Sequence, residues 1–294
     1  VTAAGAPSPD RPGARDGWWR ETVAVMGTVV SFALRPGPGG EAEAARAVVA
    51  AGELLREVDE RFSTWRPQSP LSRFRRGASD LDELPDEVAG ELAAVLELCL
   101  AARQLSGGWF DPWALPGGVD PTGLVKGWAV ERALGPLVAA GVRAAVVNAG
   151  GDAVVLGPPG GANEAWAALG PGWGPGGRPG VRFGVAHPFR PGALACVVRV
   201  RRAIATSGSS ARGAHFVDPG TGERTRGKVA QATVVGPSLA LADALATGLV
   251  VGGEAALASV GQLPGYEAYL VGFDGVELAT DGFPFEPLSS ARVG

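Results

Sequence analysis

Ala144-Ala145-Val146-Val147-Asn148-Ala149-Gly150-Gly151-Asp152-Ala153-Val154-Val155-Leu156 sets two short apolar runs on either side of a double glycine, a pattern that predicts strands at Ala144–Val147 and Ala153–Leu156. The same rhythm continues toward the C-terminus, with strands expected at Ala165–Leu169, Arg182–Ala186, Ala195–Val200, Ala203–Thr206, Gln231–Val235 and Tyr266–Phe273. Toward the N-terminus it gives way to helical spacing. Glu41–Phe62 places Ala45, Val48, Val49, Leu54, Leu55, Val58 and Phe62 near one amphipathic face. A second helix is expected over Pro85–Leu105, stopped by Gly107-Gly108, and a third over Val125–Ala140, stopped by Gly141. Leu239–Val251 returns to helix. An early strand, Glu21–Leu34, is interrupted at Met26-Gly27-Thr28. Helices and strands thus come partly in blocks, which predicts an α+β fold with antiparallel sheets covered by helices, not a regular βαβ alternation.

The chain has 294 residues, 46% hydrophobic and 19% charged, enough to bury a substantial core. Its 46 glycines and 24 prolines distribute that content among many turns. Lys and Arg total 26 against 30 Asp and Glu, which removes the basic footprint of a phosphate-backbone binder and argues against nucleic acid as a partner. Cys99 and Cys196 each sit in an apolar run and are expected to be buried thiols. No stretch approaches the roughly 18 to 20 unbroken apolar residues of a membrane span. Residues 1–18 are expected to form a flexible lead-in and 19–294 a single domain without internal repeats. The start shows neither the cationic nor the apolar part of a signal peptide. That points to the cytoplasm, with an extracytoplasmic place open if the start is processed. Gly157–Gly180 is expected to be a mobile hairpin loop.

Five clusters combine glycine with charged or hydroxyl residues. Asp120-Pro121-Thr122-Gly123-Leu124-Val125-Lys126-Gly127 places a glycine and a lysine at a helix start, suited to a phosphate or equally to a capped helix with a solvated lysine. Asn148-Ala149-Gly150-Gly151-Asp152 can position a ligand or turn a hairpin. Thr206-Ser207-Gly208-Ser209-Ser210 offers hydroxyls and N–H groups that a phosphate or plain solvent could use. His187 and His215 are the only imidazoles; either could move a proton near neutral pH, and His187 suits a structural role better. On a helix, Asp243 and Thr247 stand four apart, so a carboxylate and a hydroxyl share one face. Two such hard oxygens suit Mg²⁺ when a phosphate completes the shell, or serve as cap and back-bond to the helix itself.

Taken in order, the clusters resemble the ApbE family of FAD:protein FMN transferases. The resemblance spans most of the chain. It rests on Met26-Gly27-Thr28, Phe62-Ser63-Thr64-Trp65 with Ser69-Pro70-Leu71-Ser72, Gly108-Trp109-Phe110-Asp111-Pro112, Asp120 through Gly127, Asn148 through Asp152, Thr206-Ser207-Gly208, His215 through Gly222, and Ala242 through Thr247. It implies a T-fold-related architecture and an enzyme that binds FAD and Mg²⁺, or Mn²⁺, transfers FMN to a Thr or Ser hydroxyl of an acceptor flavoprotein and releases AMP; the Gly-, Pro-, Ala- and Arg-heavy composition separately points to a bacterial source. By the same resemblance Asp243, Thr247 and the Gly123 carbonyl hold the metal. Met26, Trp65, Trp109, Phe110, Asp111, Asp120, Lys126, Asn148, Asp152, Ser207, Gly208 and Phe216 contact FAD. His215 is the candidate base, with Lys126 and Asp243 beside it in catalysis.

The sequence departs from that pattern in three places. Only a short connection separates Phe110-Asp111 from Asp120, Trp65 stands where tyrosine is frequent, and Ser209-Ser210 replace an acidic and aromatic pair. No lipobox cysteine is present at the start. The same residues would also serve a metal-dependent FAD pyrophosphatase yielding FMN and AMP, or a non-catalytic FAD-binding protein.

Overall fold

The computed structural model describes residues 13–15, 18–114, 117–157, 179–208 and 216–287. The expected strand over Glu21–Leu34 is a hairpin: β1 (Gly13–Arg15) and β2 (Trp18–Val25) precede β3 (Thr28–Arg35), and Val25 pairs with Thr28 across a two-residue turn. Met26 and Gly27 both have positive φ, 55° and 68°, as a turn matching the right-handed twist of the strands requires. Because β1 pairs with β2 and Trp18 is buried, the sheet begins inside the segment read as a lead-in.

Helix α1 (Gly40–Phe62) buries Ala44, Ala47, Val48, Ala51, Leu55, Val58 and Phe62; the expected helix forms, but its buried face is turned from the one read in sequence, leaving Val49 59% exposed and Ala45 and Leu54 half-buried. A short α2 (Pro70–Arg75) follows, with Ser69 accepting from the Ser72 N–H and Pro70 at the first position, where a missing N–H costs nothing. Next come α3 (Asp86–Leu105), α4 (Thr122–Arg132) and α5 (Leu134–Ala139). The single helix expected over 125–140 is therefore two. Pro136 has no N–H for the Arg132 carbonyl, so the ladder breaks near Ala133 and restarts with Pro136 in the first turn of α5.

Strands β4 (Ala144–Ala149), β5 (Asp152–Leu156), β6 (Val181–Ala186), β7 (Leu194–Val200) and β8 (Ala203–Gly208) follow. Then come β9 (Phe216–Val217), β10 (Arg224–Thr225), β11 (Val229–Gly236), α6 (Leu239–Gly252), α7 (Glu254–Val260), β12 (Glu267–Gly272), β13 (Glu277–Ala279) and β14 (Phe285–Glu286). The strand expected at Ala165–Leu169 and most of the loop expected over Gly157–Gly180 lie outside the described residues.

A nine-stranded sheet runs β1-β2-β3-β4-β5-β8-β11-β12-β13, antiparallel at every pairing. One face packs on the helices and the other meets the three-stranded sheet β14-β7-β6. Along β5, Val154 enters the helical core while Ala153 and Val155 enter the second. Burial on both faces explains why these strands read as continuous apolar runs instead of alternating ones. The expected α+β class holds.

Helix α6 is buried around almost its whole circumference and crosses α4 closely. A Cβ at Gly127 would stand 2.5 Å from the Leu239 carbonyl oxygen and 2.9 Å from the Ala240 Cα. Gly127→Ala must push the helices apart, and overpacking of this kind costs about 1–3 kcal/mol. Chemical denaturation should show that loss, and an unchanged midpoint would contradict so tight a crossing. No helix among the described residues is long and apolar enough to cross a membrane. Cys99 and Cys196 are buried and unpaired, and burial pushes both thiols up to about 12. A thiol reagent at neutral pH should therefore label neither until the chain unfolds; rapid labelling of native protein would contradict that burial.

Candidate functional site

One end of the nine-stranded sheet gathers the polar residues. The Met26-Gly27 turn lies beside the β4–β5 turn, since a Cβ on Gly150 would stand 2.9 Å from Thr28 Oγ1. β8 runs past Asp152, whose Oδ1 accepts the Thr206 N–H at 2.8 Å. Over this end lie the start of α4, which carries Gly123 and Lys126, and the early turns of α6, which carry Asp243 and Thr247.

Lys126 is the electrostatic centre of the corner. Its Nζ is 2.5 Å from Asp152 Oδ2 and 3.6 Å from Asp243 Oδ1. Both carboxylates are almost fully buried, while the lysine side chain keeps 35% of its surface exposed. Asp243 Oδ2 also accepts the Gly127 N–H at 3.3 Å. Burial raises the Asp243 carboxyl to about 7, against the opposing pull of Lys126 and with the Asp152 charge adding to the rise. Two buried carboxylates sharing one lysine leave this corner short of positive charge.

The oxygens available to a cation converge beside that pair. Thr247 Oγ1 would be 3.2 Å from a Cβ on Gly123, with the Phe110 ring at 3.1 Å, so only glycine lets the start of α4 come this near. By helix register the Gly127 N–H faces the Gly123 carbonyl, and the same N–H reaches Asp243. Ser207 Oγ lies 3.3 Å from Thr247 Oγ1. A carboxylate, a hydroxyl and a carbonyl form a hard donor set that fits a small divalent cation. No group of three or more His, Cys, Asp or Glu gathers among the described residues, so substrate oxygens or water would have to complete its shell.

The structure thus brings together Gly123, Lys126, Asp152, Ser207, Asp243 and Thr247. Gly208 continues β8 opposite Gln231. Phe110 is a core residue beneath Gly123, its N–H held by Ser106 Oγ. Trp109 packs against Gly252 and lies under Lys228 Nζ, 4.4 Å from the ring centroid. Asp111 is engaged within the chain by Arg103 and the Trp113 N–H, both at 2.9 Å. Asp120 accepts the Thr122 N–H at 3.1 Å in the turn that leads into α4, and faces Arg75 at 3.7 Å. Asn148 turns its carboxamide oxygen to the Gly151 N–H, serving its own hairpin. Trp65 is 93% exposed, on a loop tied down by its motif serines: Ser69 and Ser72 hydroxyls donate to the Ser63 carbonyl, and Ser63 Oγ accepts from Trp65 and Arg66. Phe216 is buried in the β9–β10 pair. His215 lies outside the described residues. His187 accepts the Phe189 N–H on Nδ1 at 3.1 Å, a local turn contact.

Sequence reading missed Arg75 and Lys228, which carry no local motif, and Glu131. Glu131 accepts from the Leu239 and Ala240 N–H groups and the Ser238 hydroxyl, tying the end of α4 to the start of α6. Only the helix start at Ser238 is visible in sequence; its acidic partner is fixed by the tertiary crossing.

The architecture is that of the solved ApbE flavin transferases. The flavin transferase ApbE of Vibrio cholerae superposes with a TM-score of 0.69 at 22% identity, covering 90% of this chain and 98% of that one. The ApbE protein of Thermotoga maritima gives 0.68 at 19% identity over 90% and 97% of the two chains, and the Pseudomonas stutzeri flavinyl transferase ApbE 0.66 at 20% over 91% and 97%. Residues 26–117 and 115–270 match the ApbE family model. The chain belongs to the ApbE family. It is also 34% identical over 145 residues, 46% of its length, to the FAD:protein FMN transferase of Rhodobacter capsulatus, and that match spans 24% of the relative.

Asp152 holds both Lys126 and the β8 backbone. Asp152→Ala strands the Thr206 N–H and should cost about 1–3 kcal/mol in chemical denaturation. Asp152→Asn keeps an acceptor and should cost less. An alanine variant as stable as the parent would contradict the assigned contacts.

Proposed function

We propose that the chain is an FAD:protein FMN transferase, built as one domain over the span 19–294 with its sheet reaching back to β1. The observation that carries this reading is the convergence of Asp243, Thr247, Gly123 and Lys126 at the α4–α6 crossing, in a chain of the ApbE family. A magnesium ion held by the Asp243 carboxylate, the Thr247 hydroxyl and the Gly123 carbonyl would neutralise charge on the pyrophosphate of FAD. Manganese suits the same oxygens.

Lys126 would hold the pyrophosphate from the protein side, fixed in place by Asp152 behind it. Met26, Trp65 and Trp109 supply apolar and aromatic walls for the flavin dinucleotide. Asp120, Asn148, Ser207, Gly208 and Phe216 line its course in this reading. Asp111 stays with Arg103 and steadies the segment that carries Trp109. The acceptor Thr or Ser oxygen attacks the FMN-side phosphorus, its bond to the bridging oxygen breaks, and AMP leaves with the electron pair. His215 takes the hydroxyl proton.

The test is to incubate the protein with FAD, Mg²⁺ and a threonine-bearing acceptor domain and to follow AMP release and acceptor mass. An FMN mass on the acceptor with matching AMP is the expected outcome. AMP formed equally without acceptor would mean a pyrophosphatase, and FAD held unchanged in both tubes would mean a binding protein. Asp243→Asn keeps the shape of the buried side chain and should lower turnover by at least about 100-fold with FAD still bound. Full activity in that variant would refute the metal corner.

A further inference from the structure

Arg224, Arg226 and Lys228 recur at every second residue from β10 to the start of β11, and all three are exposed. Two of them are held over aromatic rings: the Arg226 guanidinium lies 5.3 Å from the Phe273 centroid, and Lys228 Nζ lies 4.4 Å from that of Trp109. The backbone beneath is pinned to α6. The Lys228 N–H donates to the Val250 carbonyl at 2.8 Å, and a Cβ on Gly227 would come within 2.4 Å of that oxygen. None of the three cations forms an ion pair among the described residues. Asp218, in the same hairpin, spends its Oδ1 on the Gly220 N–H. The chain as a whole carries a net charge of −4, and this strip sets three exposed cations within five residues.

The strip borders the proposed site. Thr225 pairs with Phe216, which follows His215 in sequence. At its other end Lys228 covers Trp109, whose backbone packs against Gly248, next to Thr247. We propose that Arg224, Arg226 and Lys228 dock an acidic segment of the acceptor polypeptide, a reading that rests on the transferase assignment because only that reaction needs a second chain here. The negative charge of FAD is met inside the corner by Lys126. An acidic partner is drawn to exposed cations, and this strip sets that attraction at the border of the proposed site, where a docked segment can reach it.

The experiment measures fluorescence anisotropy of the full chain with a labelled peptide of alternating Asp and Thr, against one of alternating Asn and Thr, at about 50 and about 300 mM salt. At low salt the acidic peptide should bind roughly ten-fold tighter, and the preference should shrink at high salt. Arg224→Glu with Arg226→Glu should abolish it. Arg56→Glu with Arg73→Glu, an equal charge change at exposed sites elsewhere, should keep most of it. Equal binding of the two peptides, or an equal loss in both variants, would overturn the docking strip. FAD affinity, read from flavin fluorescence without acceptor, should be unchanged by the Arg224/Arg226 reversal, and its loss there would mean that these cations serve FAD instead. Should the parent protein release no AMP while the peptide pattern holds, the transferase reading fails and the strip's preference for an acidic segment stands.

Discussion

Helix α6 can lie against α4 only because Gly127 offers no side chain to the Leu239 carbonyl. Everything polar in the corner depends on that approach. It brings the Gly127 N–H to Asp243, sets Thr247 beside Gly123, and lets Lys126 reach Asp243 from one helix and Asp152 from the sheet. Glu131 closes the same crossing from the far end by binding the first N–H groups of α6. A carboxylate at a helix start also meets the positive end of the helix dipole. The register of the two helices is therefore held at both ends, while the residues between are apolar packing.

Burying Asp152 and Asp243 together is costly unless positive charge is near. Lys126 supplies one charge for two carboxylates, and burial, with the Asp152 charge adding to it, raises the Asp243 carboxyl. A cation bound there, as proposed, would offset the cost of keeping both carboxylates buried. Its oxygens come from unlike sources, a side chain on one helix and a backbone carbonyl on another, so that capacity belongs to the crossing and to neither helix alone.

Much of this could be read from the residues. The i, i+4 pair Asp243 and Thr247 falls on one face by helical period, and the glycine–lysine start of α4 is a recognisable signal. Other features lay beyond local pattern. Met26 at positive φ is an unusual turn residue, so the β2–β3 hairpin looked like an interrupted strand. Pro136 divides a helix whose apolar spacing runs on without a break. Asp152 was legible as a candidate site residue, but its partners, Lys126 and the Thr206 N–H, come from distant elements that local pattern does not reveal. Asn148 was legible as a polar residue at a strand end, but not its bond to the Gly151 N–H of its own turn. The motif serines around Trp65 proved to brace the loop that presents it. In each case the residue type was legible, and its role depended on a neighbour that only the folded sheet supplies.

The central claim is that the α4–α6 crossing holds the metal against FAD. It is tested most directly by growing crystals with FAD and Mn²⁺ and locating the manganese by its anomalous scattering. The account predicts one peak bounded by the Asp243 carboxylate, Thr247 Oγ1 and the Gly123 carbonyl, with the pyrophosphate between it and Lys126. Manganese bound elsewhere, with FAD in place and this corner empty, would contradict it.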